Sequence, residues 1–268
     1  MSATIPVAAA RQDLLLYHMA DGVATLMLNR PAQFNAINAA LLTELETALD
    51  QIENDPAVRV VVIAGVGRAF CAGHDLKEMR EHHDRNFIAS LFERCSRIMV
   101  RLTRLPQPVI ARIHGVAAAA GCQLVAQCDL AVASTEARFA TSGVKYGIFC
   151  TTPGVPLARD VGRKRALEML LTGEFIDAQT ALAYGLVNRV VAPDSLDAEV
   201  AGLARSILDK TPIAVAAGKK VFYEQVETGL ERAYTLANEA MTCSLMTEDA
   251  VEGIDAFSQK RPAQWKGK

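Results

Sequence analysis

The stretch GVAAAAGCQLVAQCDLAV, residues 115–132, places a run of alanines and a glycine ahead of an amphipathic segment whose first polar side chain is Gln123. Small side chains at a strand-to-helix turn let a ligand approach the backbone N–H groups, whose partial positive charge suits an anion or a developing oxyanion. Tight helix packing is the competing use of the same residues. The amide of Gln123 can orient water or donate to a carbonyl, but it cannot take up a proton at neutral pH. A second stretch, AFCAGHDLKE at 69–78, brings His74, Asp75, Lys77 and Glu78 together. His74 carries a ring that titrates near neutrality in water. Asp75 also suits the N-cap of a helix beginning LKEM. Lys145, Tyr146 and Cys150 are further candidates, each with a plain role as surface, packing or small core residue. His82 and His83 fall in a polar segment and receive no role.

Several chemistries are excluded. GVGRAF lacks the third glycine of a dinucleotide fingerprint, and the chain has no phosphate-binding GxxxxGK[ST] and no GxSxG nucleophile elbow. The six cysteines form no CxxC pair, so neither a zinc site nor any other metal is expected, and reduced thiols in a cytoplasmic protein are. Net charge is −2 with scattered Lys and Arg, which speaks against nucleic acid and for a small-molecule partner. No stretch has the length and apolarity of a membrane span. The opening MSATIPVAAARQDLLLYHMADG lacks the basic start and long apolar centre of a signal peptide, and residues 1–20 are expected as a loose arm.

The elements that must position these residues alternate. GVATLMLNRP (22–31), VRVVVIAGVG (58–67), PVIARIHG (108–115) and DLAVAS (129–134) read as strands. Between them lie helical patterns through Leu42, Leu45, Leu49 and Ile52, from Phe87 to Leu105, and from Gly121 to Gln127. That alternation predicts an α/β fold with a largely parallel sheet or a spiral of ββα units. The last third changes character: from Leu196 to Ser258 the pattern is helical with almost no strand signal. The division expected is therefore a core over 1–195 and a C-terminal helical region over 196–268. Apolar faces on several successive helices favour a subunit interface there over a surface layer.

Four pieces in order, NRPAQFNA (29–36), AFCAGHDLKE (69–78), IHGVAAAAGCQLVAQCD (113–129) and LTGEFIDAQTALAYGLVNRVV (171–191), resemble the crotonase superfamily, the enoyl-CoA hydratase/isomerase family, from Gly22 to Trp265. The resemblance implies a crotonase-type spiral of ββα units with a C-terminal helical oligomerisation region, acting on acyl-CoA thioesters in fatty acid metabolism. It places the thioester carbonyl between the backbone N–H groups of His74 and Ala120. Relatives carry three glycines where Ala119, Ala120 and Gly121 stand. It puts the family's two catalytic glutamates at Gln123 and Gly143, where this sequence has no carboxylate. It lays coenzyme A across the turn holding Asn35 and Ala36 and the helix start formed by His74, Asp75, Leu76 and Lys77. Phe257 and Lys260, in GIDAFSQKR, match residues that approach the adenine and 3′-phosphate, often from a neighbouring subunit. The implied assembly is a homotrimer or a dimer of trimers. Coenzyme A enters as part of the substrate, with no covalently bound cofactor.

Three functions are compatible with this reading. One is an enoyl-CoA hydratase-like lyase of weak hydratase activity, since each acid–base group typically contributes about 10²–10⁴ in rate. Another is decarboxylation of a malonyl-type CoA ester, which leaves an enolate but asks for a tyrosine near Cys150. The third is acyl-CoA binding without turnover.

Overall fold

A computed structural model describes residues 13–268. In chain order the elements are β1 (Leu15–Ala20), β2 (Val23–Leu28), α1 (Ala39–Asn54), β3 (Val60–Gly65), β4 (Ala69–Cys71), α2 (Leu76–Glu81), α3 (Arg85–Arg104), β5 (Val109–Ile113), β6 (Val116–Ala118) and α4 (Ala120–Gln127). They continue as β7 (Leu130–Ser134), β8 (Arg138–Ala140), α5 (Thr151–Asp160), α6 (Arg163–Thr172), β9 (Ile176–Asp177), α7 (Ala178–Tyr184), β10 (Arg189–Val191), α8 (Leu196–Leu208), α9 (Pro212–Val226), α10 (Leu230–Leu245) and α11 (Glu248–Gln259).

The expected α/β class and the spiral of ββα units are present. One sheet has six strands in the order β1-β2-β3-β5-β7-β10, and a second has four in the order β4-β6-β8-β9. Each turn of the spiral gives a long strand to the first sheet and a short one to the second: β3 then β4, β5 then β6, β7 then β8. All six residues of β3, VVVIAG, are buried, as befits a parallel strand covered on both faces. One face packs on α1 and α3 through residues such as Leu45, Leu49, Ile98 and Leu102. The other is closed by α8, whose Leu196, Val200 and Leu203 meet Val60, Val62, Ile110 and Val132. The helix that opens the C-terminal region thus completes the core.

The loose arm expected over 1–20 is corrected in part. Residues 15–20 form β1, antiparallel to β2, because Asp21 and Gly22, at φ +49° and +80°, close the two strands into a tight hairpin. Glu44 accepts hydrogen bonds from the Leu14 and Leu15 amides at 2.9 and 2.8 Å and anchors the strand start. Residues 1–12 lie outside the described residues.

The NRPAQFNA segment folds into a tight turn in which Phe34 and Asn35 both take left-handed backbone angles, φ +51° and +56°. Asparagine tolerates this conformation because its side chain bonds to nearby backbone. Asn35 is fully buried; its Oδ1 accepts from the Arg30 amide at 2.8 Å and its Nδ2 donates to the carbonyls of Val66 and Ala69 at 2.9 and 2.8 Å. Asn35→Ala strips partners from three backbone groups, and is expected to cost about 2–4 kcal/mol in urea unfolding.

The C-terminal helix α9 is fastened to the core by a buried ammonium. Lys219 on α9 donates to the carbonyls of Leu102 and Gln107 at 2.8 and 2.9 Å and to Asp129 at 2.6 Å. Tyr223, one turn on, donates to the other Asp129 oxygen at 2.8 Å. Only 7% of the Lys219 side chain is exposed. On α9 to α11, by contrast, Phe222, Leu230, Tyr234, Met246 and Phe257 are all exposed.

Candidate active site

The alanine run straddles β6 and the first turn of α4, and the conformation of its third residue is the central feature. Ala119 has φ +48° and ψ −116°, a backbone region that suits glycine. Its amide donates to the Ala140 carbonyl at 2.8 Å, and its own carbonyl receives the Gln123 amide at 3.0 Å. Such strain costs about 1–3 kcal/mol and persists where the surroundings over-determine it. The result is that the chain reverses sharply and the Ala120 N–H has no acceptor in the chain among the described residues.

A second free amide is brought beside it. Ile37 donates to the Gly73 carbonyl at 2.7 Å and accepts from the Asp75 amide at 2.8 Å, gripping the residues on either side of His74. In an extended segment alternate N–H groups point in opposite directions, so the His74 N–H faces away from Ile37. It too has no acceptor in the chain among the described residues. Gly73, at φ +103°, closes the approach: a Cβ there would meet the Ala119 Cβ at 2.9 Å, the Ala118 carbonyl oxygen at 3.1 Å and the Ala120 nitrogen at 3.4 Å. Two N–H donors on neighbouring segments, at the wall of one cavity, are the chemistry of an oxyanion hole.

Asp75 and Arg30 brace this geometry. Asp75 caps α2 by accepting from the Lys77 and Glu78 amides, and Arg30 pairs with it at 2.8 Å while also donating to the Ala36 carbonyl. Burial alone would raise the Asp75 carboxyl, but Arg30 and the two amides outweigh it and hold its pKa below the usual range. Lys77 stays in solvent, with 85% of its side chain exposed.

The cavity holds about 580 Å³ and is walled by His74, Leu76, Met79 and Phe92, by Val116 and Ala118 to Ala120, by Ser142, Gly143, Lys145 and Tyr146, by residues 148–153, and by Phe175. Among the described residues no aspartate or glutamate lines it. Of the residues singled out in the sequence, His74, Leu76, Ala120, Gly143, Lys145, Tyr146 and Cys150 meet on its wall. Asn35, Ala36, Asp75, Lys77, Phe257 and Lys260 do not, and Gln123 sits buried behind the wall with its Oε1 unpartnered. The polar atoms of the Asn35 side chain are committed to the turn. Phe257 is 85% exposed, and Lys260 caps α11 with left-handed backbone angles. Met79, Phe92, Phe149 and Phe175 were not anticipated; in the sequence they are indistinguishable from core residues.

His74 differs from the titrating ring expected. Both ring nitrogens are buried and unpartnered, and the ring packs edge-on to Phe92 with centroids 5.1 Å apart. Burial lowers its pKa to about 4, with the Ile37 carbonyl opposing the shift without closing a hydrogen bond. A proton taken up by the unfolded chain is thus refused by the folded one. Stability is unaffected above pH 6.5 and falls as pH drops from 6.5 towards 4, by up to about 1.4 kcal/mol per unit. Urea unfolding at stepped pH should show a shallower loss over this window in His74→Asn than in the wild type; equal slopes would refute the assignment.

Residues 18–268 match the model of the enoyl-CoA hydratase/isomerase family. Human enoyl-CoA hydratase domain-containing protein 3, mitochondrial, is 45% identical over 245 residues, 91% of this chain and 81% of the relative. The 2,3-dehydroadipyl-CoA hydratase of Escherichia coli is 38% identical over 92% of this chain and 96% of its own. A crystal structure of an enoyl-CoA hydratase from Mycobacterium smegmatis superposes with a TM-score of 0.93 at 53% identity, covering 95% of this chain and 99% of that one.

Proposed function

Because the chain belongs to the enoyl-CoA hydratase/isomerase family, we propose that the two free amides of His74 and Ala120 receive the carbonyl oxygen of an acyl-CoA thioester and stabilise the enolate form of that ester. The observation that carries this is the strained Ala119, which holds the Ala120 N–H unpartnered beside His74. A thioester carbonyl gains charge as it becomes an enolate, and each donor aimed at it is worth about 2.7–4 kcal/mol. Coenzyme A is part of the substrate in this reading, and no bound cofactor or metal takes part.

Hydratase chemistry is weak in this proposal. Gln123 and Gly143 stand where the family resemblance places carboxylates, and the cavity wall carries none. Gln123 is buried rather than on the wall, and a Cβ on Gly143 would meet the Ile148 carbonyl oxygen at 2.5 Å and the Cys150 sulfur at 2.6 Å. Cys150 accepts a hydrogen bond from the Gly143 amide at 3.2 Å, and burial raises its thiol pKa, which suits a packing group better than a nucleophile. Incubation with enoyl-, 3-hydroxyacyl- and malonyl-CoA esters, read by mass spectrometry, tests the whole proposal. Binding with no mass change in any ester would reduce it to acyl-CoA binding without turnover.

The assembly proposed is a homotrimer or dimer of trimers built on α9 to α11, supported by the exposed apolar side chains there. Phe257, open to solvent on its own subunit, is then free to meet an adenine ring at a neighbouring site, with Lys260 as a point charge for phosphate. Light scattering should give a multiple of three times 28.9 kDa. Phe257→Ala with Lys260→Ala should weaken coenzyme A binding; a monomer, or unchanged affinity, sinks this part. No helix among the described residues is long and apolar enough to cross a membrane. Free cysteines support a reducing compartment, proposed to be the cytoplasm, although the human relative is named as mitochondrial.

A further inference from the structure

The composition of the cavity wall bears on which esters fit. Met79, Phe92, Val116, Ile148, Phe149 and Phe175 make much of it aromatic or aliphatic, and Ser142, Thr151 and Thr152 add neutral hydroxyls. Four titratable groups face the same space. The His74 imidazole is neutral, the Cys150 thiol is neutral and engaged by the Gly143 amide, and Tyr146 is 65% exposed. The fourth, Lys145, turns its ammonium to Glu174 at 2.9 Å, and 71% of the Glu174 side chain is in solvent. Among the described residues, the single cation of the wall is therefore engaged by a largely exposed carboxylate.

We infer that this cavity selects an uncharged, largely apolar acyl group and rejects one that ends in a carboxylate. The inference rests on the acyl-CoA reading and goes beyond it by naming the substrate class. A carboxylate carried against these apolar side chains would lose part of its water with no free cation among the described wall residues to replace it, and such burial is unfavourable unless the charge is paired. An apolar chain of the same length gains from leaving water instead. The two buried, unpartnered nitrogens of His74 add one requirement: a neutral oxygen on the acyl group, or a water held by it, suits them. A malonyl-type substrate is disfavoured on the same grounds.

The test uses a matched pair of esters, hexanoyl-CoA and adipyl-CoA, with coenzyme A as the baseline, titrated calorimetrically into the intact protein at near-neutral pH. Hexanoyl-CoA is expected to bind at least about tenfold more tightly than adipyl-CoA, and adipyl-CoA no better than coenzyme A. Equal binding, or tighter binding of adipyl-CoA, overturns the inference while leaving the acyl-CoA reading intact; no heat from any of the three overturns both. Lys145→Ala supplies the second arm. It is expected to leave the ratio of the two esters unchanged, and a selective loss of adipyl-CoA affinity would identify Lys145 as a carboxylate receptor and refute the proposal.

Discussion

Crotonyl-CoA at saturating concentration is expected to be hydrated about 10²–10⁴-fold more slowly than by an enzyme with a carboxylate acid–base pair. Water addition needs one group to take a proton from water and one to deliver a proton to the substrate carbon. No aspartate or glutamate lines the cavity among the described residues, and the His74 ring, at a pKa of about 4, is too weak a base to take either part efficiently. Rebuilding the pair by substitution is not symmetrical. Gln123→Glu places a carboxylate of the buried amide's shape behind the wall rather than on it, and is expected to raise turnover little. Adding Gly143→Glu should not raise it further, because the first side-chain carbon already falls 2.5 Å from the Ile148 carbonyl oxygen. Spectrophotometric turnover for the wild type near 10²–10³ per second, the upper part of the ordinary enzyme range, would overturn this.

Gly121→Ala is expected to be the most damaging single-methyl change in the chain. Its new carbon would lie 2.1 Å from the Cys71 carbonyl oxygen and 2.8 Å from the carbon bearing it, both backbone atoms that no rotamer change can move. Either α4 lifts from β4 or the turn at Ala119 deforms, with an expected loss of about 3 kcal/mol or more in urea unfolding. Ala119→Gly should move the other way. Relief of about 1–3 kcal/mol of backbone strain outweighs the extra chain entropy of glycine, about 0.5–1 kcal/mol, leaving a net gain of about 1 kcal/mol. A neutral Gly121→Ala, or a destabilising Ala119→Gly, would show that the turn is not held as described.

The four long strands were legible because each is a continuous apolar run; the second sheet was not. Its strands β4, β6 and β8 are three residues each and β9 is two, too short for any periodicity to register. β1 was missed because exposed residues on both of its faces, Leu16 and Tyr17 among them, are apolar, which blurs the alternation of an edge strand. At the site, the family resemblance singled out His74 and Ala120, and helix grammar the cap formed by Asp75. What sequence could not give was direction. It could not show that Asn35 turns inward to pin a loop, that Gln123 lies behind the wall, or that burial keeps the His74 ring uncharged. Each of these depends on neighbours far away in the chain.

The fastening of Lys219 to Asp129 sets a limit on how this chain can be divided. Removing everything after residue 195 would bare the apolar sheet face that α8 covers and leave the Asp129 carboxylate without the Lys219 and Tyr223 donors that satisfy it. An uncompensated charge in that position is strongly unfavourable. The final helices therefore cannot be traded between relatives as an independent cassette. A chimera keeps a working core only if α8, Lys219, Tyr223 and Asp129 are inherited together.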